Sequence, residues 1–138
     1  MTCLIRYTDS AQDITPDQLE GFFVGWPNPP SPETHLRVLH GSDYVWLAMD
    51  QTSGKVVGFI TAISDGVLAA YIPLLEVLPA YQGQGIGTEL TRRMLDTLSH
   101  LYAIDLVCEP SVQPIYARFG MKPVFGMAIR NHARQSGE

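Results

Sequence analysis

The sequence predicts a single α/β domain, residues 1–138, with helices on both faces of a sheet. Its 138 residues are the size of one ordinary domain, and 46% of them are apolar, which is enough to fill one core. Three consecutive strand-like segments, 44–49, 56–63 and 67–77, precede a strongly periodic helix. The third segment is apolar on both faces, which is typical of a central strand covered by helices on each side.

The charge balance limits the kinds of partner. Nine Lys and Arg stand against fourteen Asp and Glu, giving a net charge of −5, so a basic nucleic-acid-binding face is not expected. The longest run without charged or strongly polar side chains, 67–75, is far shorter than the ~20 residues of a membrane span. Residues 1–9 show neither the basic nor the apolar stretch of an export signal, so none is expected. We therefore expect a cytoplasmic protein that binds neither nucleic acid nor membrane.

The cysteines and histidines do not form a metal-binding pattern. Cys3 and Cys108 are not part of paired C-x-x-C motifs, and they are predicted to be buried small hydrophobic residues. The four histidines are scattered, with no H-E-x-x-H motif. The sequence therefore predicts no metal site.

The first half of the chain contains clear element boundaries. A strand is predicted over 3–8, and Thr15-Pro16-Asp17 predicts the start of a short helix. The proline-rich stretch 27–32 interrupts it, after which Ser31 begins a second helix that continues to His40. The dipeptide Asp65-Gly66 favours a two-residue hairpin between two of the central strands.

Pro73 lies inside the predicted central strand. Because proline has no N–H for the ladder, the strand should bulge or separate from a neighbour there. Further strands are predicted over 104–108 and 124–129, with a short helix over 111–118 between them. The segment 124–129 would either close the sheet edge within the chain or extend the sheet across a homodimer. The polar tail, 131–138, is expected to fray.

The strongest functional signal is a glycine-rich turn between the central strand and the periodic helix. Gly83, Gly85 and Gly87 let the backbone approach a ligand, and the first N–H groups of the helix suit phosphate oxygens. A P-loop requires a following lysine, and a dinucleotide fingerprint requires a third glycine where Thr88 stands. Neither template fits. Another nucleotide-dependent protein using the same turn remains an alternative.

The segment Gln82-x-x-Gly85-x-Gly87 resembles the acetyl-coenzyme A signature of the GCN5-related N-acetyltransferase family. The stretch 115–121, with Tyr116 four residues before Gly120, resembles the second motif of the family. Together with the strand order, the resemblance covers nearly the whole chain. Within the family, the chain is most similar to a small subgroup that includes arylalkylamine-type acetyltransferases of plants and cyanobacteria.

This resemblance implies an acyl-CoA N-acyltransferase fold with a mixed, mostly antiparallel sheet that splays near Pro73. It implies an acetyl-CoA-dependent N-acetyltransferase that transfers the acetyl group directly to a primary amine of a small molecule or peptide. The pantetheine arm would bind to backbone groups beside the splay, and the pyrophosphate to the glycine turn. The expected cofactor-binding residues are Leu75, Val77, Leu78, Gln82, Gly83, Gln84, Gly85, Ile86, Gly87, Thr88 and Tyr116.

The resemblance also implies catalytic roles. Tyr116 is expected to protonate the departing coenzyme A thiolate, and the N–H of Val77 to face the thioester oxygen. Many family members have asparagine seven residues before the tyrosine, whereas this chain has Glu109. Glu109 and Glu76 are the alternatives for the general base, and a water relay is a third. Arg92 and Arg93 lie near enough to reach an adenosine phosphate, but Glu89 is expected to pair with Arg93 instead.

The acceptor is less defined by the sequence. The family resemblance places the first two helices on the acceptor side, which nominates Phe22, Trp26, His35 and Tyr71 as lining residues, with core packing as the alternative for Phe22 and Trp26. Aromatic walls and a negative net charge favour a cationic amine. The alternative function is a catalytically inactive acyl-CoA-binding sensor or interaction module, which the departure at Glu109 supports and Tyr116 opposes.

Overall fold

A computed structural model of the protein describes residues 4–138, so the predictions for Cys3 lie outside the described residues. The strands are β1 (Ile5–Thr8), β2 (Tyr44–Asp50), β3 (Val56–Ser64), β4 (Ala69–Val77) and β5 (Ala103–Leu106). The α-helices are α1 (Pro32–Gly41), α2 (Ile86–Thr97) and α3 (Gln113–Ala117). Short 3-10 helices span Pro16–Leu19, Pro79–Tyr81, Pro110–Val112 and His132–Arg134.

The strands form one five-stranded sheet in the order β1-β2-β3-β4-β5. Neighbouring strands from β1 to β4 pair antiparallel, and β5 pairs parallel with β4. The parallel pair requires a crossover, which α2 provides. The prediction of a mixed, mostly antiparallel sheet is confirmed.

Helices cover both faces of this sheet, as predicted. A Cβ added at Gly58 on β3 would lie 3.1 Å from Leu90 of α2, so this glycine allows the helix to pack closely. The next residue, Phe59, points to the opposite face. There its ring contacts those of Phe22 and His35, at centroid distances of 5.1 and 4.4 Å.

The helix boundaries follow the local signals. Ser31 caps α1, since its Oγ accepts a hydrogen bond from the N–H of Thr34 at 3.1 Å. At Thr15, the backbone N–H donates to Oε1 of Gln18 at 2.9 Å, but the helix that begins there is a single 3-10 turn. The predicted apolar stripe is buried in the core: Leu90 and Met94 lie on α2, and Leu98 and Leu101 follow its C-terminal end.

Several predictions of local structure are wrong. The β3–β4 connection has four residues rather than two, because the Asp65 carboxylate accepts hydrogen bonds from the N–H groups of Val67, Leu68 and Ala69. Residues 124–129 do not form a strand in the described structure. Cys108 is half-buried rather than buried.

The polar tail makes specific contacts with the body of the protein. Oε1 of Gln135 accepts a hydrogen bond from the N–H of Asn28 at 2.9 Å. Oε1 of Glu138 accepts one from the Thr34 hydroxyl, also at 2.9 Å. Separately, no helix within residues 4–138 has the length and apolar character needed to cross a membrane.

Candidate functional site

The central strand separates from β5 at Pro73. The parallel pairing ends at Ile72 opposite Leu106, whereas β4 continues to Val77 paired only with β3. The register between β3 and β4 also shifts at this point, between Thr61 and Ile63. Both effects follow from the missing N–H of proline. The result is an open gap beside the second half of β4, and the predicted splay is confirmed.

The gap exposes backbone groups of alternate residues on β4. The N–H of Leu78 donates to the carbonyl of Val57 on β3 at 2.9 Å. In an antiparallel pair, residues whose backbone bonds to the neighbouring strand alternate with residues whose backbone groups point away from it. Leu75 and Val77 therefore direct their backbone groups into the gap. Leu78 offers none, because its carbonyl also accepts a bond, from the N–H of Tyr81 at 2.9 Å.

The glycine-rich turn lies at the end of the same strand. Gly83 and Gly85 have φ values of 79° and 83°, in the left-handed region that favours glycine. A Cβ built at either position would meet no described atom within 4 Å, so the surface above them is open. Nε2 of Gln82 donates to the carbonyl of Val77 at 3.0 Å, which fastens the turn to β4.

Gly85 is the residue that precedes α2, so the first N–H groups of this helix point outward from the turn. Thr88 lies in the first turn of the helix. The side chain of Ile86 is buried in the core, so only the backbone of this residue is available to a ligand. A Cβ at Gly87 would lie 3.6 Å from Val77, which is an ordinary packing distance.

The two arginines of α2 are engaged along the helix. Nε of Arg93 bonds to Oε2 of Glu89 at 2.6 Å, as the spacing predicts. The Arg93 guanidinium also lies over the ring of Tyr7, 4.6 Å from its centroid. Arg92 pairs with Glu89 and with Asp96, and the hydrogen bond from Arg92 is the main cause that lowers the pKa of Glu89.

Tyr116 lies on α3 and is half-buried. Burial raises the pKa of its phenol above the ordinary value, and the nearby charge of Cys108 raises it further. A phenol with a raised pKa stays protonated at neutral pH and is able to donate a proton. Glu109, which precedes the 3-10 turn leading to α3, is exposed.

Glu76 makes a contact that the sequence does not indicate. Its Oε1 accepts a hydrogen bond from the N–H of Phe23 at 2.9 Å, and its Oε2 one from Val24 at 3.3 Å. Phe23 has a positive φ of 63°, which is unusual for a residue other than glycine. Glu76 therefore fixes a strained loop against β4.

Three of the four predicted acceptor-lining residues belong to one aromatic cluster. Ring centroids lie 5.3 Å apart for Phe22 and His35, 4.9 Å for Phe23 and His35, and 4.9 Å for Phe23 and Trp26. Trp26 is partly exposed, and a cavity of about 150 Å³ beside the cluster is lined by Phe22, Phe23 and His35. Tyr71 lies instead at the paired end of β4, opposite Asp105 of β5.

His35 is buried without polar partners. It is 1% exposed, and neither ring nitrogen has a hydrogen-bond partner among residues 4–138. Burial lowers its pKa to about 4, so the ring is neutral at pH 7. The described residues contain no group of three His, Cys, Asp or Glu side chains arranged for a metal ion.

A gap beside a central strand, with a glycine turn and a helix N-terminus at the end of that strand, defines the acyl-CoA N-acyltransferase class of fold. Residues 11–121 match the model of the acetyltransferase (GNAT) family. The chain therefore belongs to this family, as the motifs in the sequence predict.

Two plant proteins and one crystal structure illustrate the relationship. GCN5-related N-acetyltransferase 1, chloroplastic, of Arabidopsis thaliana is 29% identical over 85% of this chain and 60% of that protein. Serotonin N-acetyltransferase 2, chloroplastic, of Oryza sativa subsp. japonica is 32% identical over 81% of this chain and 60% of that protein. The chain thus spans about three fifths of the length of these relatives.

The crystal structure is one assigned to the acetyltransferases, from Deinococcus radiodurans R1. It is 45% identical to this chain, with a TM-score of 0.92, over 96% of this chain and 92% of that one.

Proposed function

We propose that the protein transfers an acetyl group from acetyl-CoA directly to a primary amine. The observation that carries this proposal is the continuity of two binding features on one strand. The gap beside Leu75 and Val77 leads directly into the glycine turn that starts α2. A thioester arm and a pyrophosphate need these two features in this order.

The residues present fit acetyl-CoA. Extended pantetheine is able to pair with the backbone groups of Leu75 and with the N–H of Val77 as an added strand would, whereas the Val77 carbonyl already accepts a hydrogen bond from Gln82. The pyrophosphate fits the N–H groups from Gly83 to Thr88, where the helix dipole favours an anion. Because Arg92 and Arg93 are paired with carboxylates of their own helix, the main chain rather than cationic side chains would provide most of the binding.

Proton transfer requires an acid and a base. Tyr116 is the acid, since a phenol is protonated at neutral pH and this tyrosine of α3 stands at the position that resembles the second motif of the family. For the base, the structure favours Glu109 over Glu76, because both carboxylate oxygens of Glu76 already accept backbone hydrogen bonds. The N–H of Val77 would stabilise the negative charge that develops on the thioester oxygen.

The acceptor that suits this site is an aromatic or aliphatic amine. Phe22 and Trp26 lie on the loop that Glu76 attaches to β4, and His35 of α1 packs against Phe22, so the aromatic cluster lies beside the second half of β4. The name of the rice relative, a serotonin N-acetyltransferase, fits such an acceptor. A cytoplasmic location remains a prediction from the sequence.

The test is release of free thiol from acetyl-CoA over a panel of arylalkylamines, aliphatic diamines and peptide N-termini, with acetyl-CoA binding measured by calorimetry on the same protein. We expect turnover with at least one arylalkylamine. Tight acetyl-CoA binding without turnover on any amine would contradict the proposal and support the inactive sensor. Equal affinity for ADP and acetyl-CoA would instead indicate a nucleotide-binding protein.

A further inference from the structure

The connection between β4 and the glycine turn is bonded to two other strands of the sheet. The N–H of Leu78 donates to the carbonyl of Val57 on β3 at 2.9 Å. The hydroxyl of Tyr81 donates to Oδ2 of Asp50, the last residue of β2, at 2.6 Å. Because β3 lies between β4 and β2 in the sheet, the connection crosses the end of β3 and reaches β2.

Asp50 is a fixed acceptor for the Tyr81 hydroxyl. Asp50 is 5% exposed, and its Oδ1 accepts a hydrogen bond from the N–H of Thr52 at 2.9 Å. Its own N–H donates to the carbonyl of Lys55 at 3.0 Å, and its carbonyl accepts a bond from the N–H of Gly54 at 2.8 Å. The tight turn that joins β2 to β3 therefore holds both the backbone and the carboxylate of Asp50 in place.

The bond between Tyr81 and Asp50 has the length of a charge-assisted hydrogen bond, which is stronger than a bond between neutral groups. It is the main cause that lowers the pKa of the Asp50 carboxyl, so this group is ionised at neutral pH. Tyr81 is half-buried and packs against the core. The phenol is therefore held both by packing and by a charged partner.

The glycine turn needs bonds to its surroundings in order to keep one conformation. Glycine loses more conformational freedom on ordering than any other residue, and Gly83 and Gly85 both lie in this turn. A site that is ordered before the ligand arrives binds more tightly. At its far end the turn continues into α2. At its near end Gln82 attaches it to β4 through an exposed bond, and Tyr81 attaches it to β2 through a partly buried one.

We infer that Tyr81 and Asp50 are positioning residues for the pyrophosphate of acetyl-CoA. Their bond holds the glycine turn in the conformation in which the N–H groups from Gly83 to Thr88 face the ligand. The inference rests on the proposed function, because it concerns the same cofactor. Neither side chain needs to touch the cofactor. The pair should therefore affect binding of the pyrophosphate and leave binding of the pantetheine beside β4 unchanged.

Tyr81→Phe removes the hydroxyl and keeps the ring. We expect the dissociation constant of acetyl-CoA, measured by calorimetry, to rise about tenfold. The constant of S-acetylpantetheine, which lacks the pyrophosphate, should stay unchanged in an NMR titration, as should turnover at saturating acetyl-CoA. The matched control is Tyr44→Phe, at a half-buried tyrosine on the other end of β2, which should change none of these values.

Asp50→Asn tests the partner of the bond with a side chain of almost the same shape. An amide has one acceptor oxygen where the carboxylate has two, so it cannot serve both Tyr81 and Thr52. We expect weaker acetyl-CoA binding in this variant as well. The double variant should bind acetyl-CoA no more weakly than Tyr81→Phe alone, because the same bond is removed only once. Additive losses would show that the two residues act independently and would overturn the inference.

The remaining outcomes separate this inference from the proposed function. Equal affinity of the natural chain and Tyr81→Phe for acetyl-CoA would show that only the positioning role is wrong. Parallel losses of affinity for acetyl-CoA and S-acetylpantetheine would show a general structural role and would also overturn the positioning role. A natural chain that does not bind acetyl-CoA would overturn the proposed function, and the positioning role with it.

Discussion

Residues 4–106 and residues 107–138 differ in how far their apolar side chains are buried. The first region, the body, contains all the buried hydrophobic residues of the described chain, from Ala11 to Leu101. The second, the C-terminal segment, exposes large apolar side chains: Val107, Ile115, Val124, Phe125, Met127 and Ile129. Because folding depends on burial of apolar surface, most of the packing that stabilises the fold lies in the body.

The residues of the candidate active site come from both regions. The body supplies the gap beside β4 and the glycine turn, and the C-terminal segment supplies Tyr116 and Glu109. Cofactor binding should therefore depend mainly on the body, while turnover should depend on both. The following substitutions test that division, from the largest expected effect to the smallest.

Phe59→Ala should lower the free energy of unfolding by about 3–5 kcal/mol, because the ring is fully buried against Phe22 and His35. Phe125→Ala, at a fully exposed position of the C-terminal segment, should change it by less than about 0.5 kcal/mol. Urea denaturation measures both variants, and a similar loss at both positions would show that the C-terminal segment is packed.

Tyr116→Phe should reduce turnover by about a hundredfold or more, because the departing thiolate loses its proton donor. Affinity for acetyl-CoA should stay within about twofold, since the binding features lie in the body. Tyr102→Phe, at an exposed position, is the control. Steady-state kinetics and calorimetry separate the two quantities. Turnover that is unchanged in Tyr116→Phe would remove this residue from the mechanism.

Acidification should destabilise the body through His35. Its folded-state pKa, about 4, lies below the ordinary 6.5, so between these pH values the unfolded chain binds a proton that the folded chain does not. The free energy of unfolding should therefore fall as pH decreases from 6.5 to 4, by up to about 3 kcal/mol. Urea denaturation of His35→Leu should show a smaller decrease over this range. An identical decrease in the natural protein and in His35→Leu would show that His35 does not cause the loss of stability.

Gly85→Ala should weaken acetyl-CoA binding about tenfold, because a left-handed φ costs a residue with a side chain roughly 1–2 kcal/mol. Gly87→Ala is the matched control, since a Cβ there would make only an ordinary contact with Val77. Calorimetric titration with acetyl-CoA compares the two variants. Equal affinities would show that the conformation of the turn does not determine binding.

Local signals predicted much of the body. Pro73 predicted the splay because proline cannot donate a ladder hydrogen bond, whatever strand lies beside it. Gly83 and Gly85 predicted the turn because glycine tolerates positive φ. Contacts between distant residues were not predictable in the same way. The bonds from Phe23 and Val24 to Glu76 join positions more than fifty residues apart. Likewise, the close approach at Gly58 depends on where α2 lies.

The sequence by itself determined the order of elements, the interruption at Pro73 and the resemblance of the glycine turn to an acetyl-CoA site, since each depends on backbone chemistry within a few residues. Only the tertiary structure decided that Leu78 is already bonded, that Glu76 holds a loop and that residues 124–129 stay unpaired. A strand forms only where another strand presents an edge to it. The alternation of residues 124–129 makes them suitable for a strand, but the course of the chain leaves them away from the edge of β5.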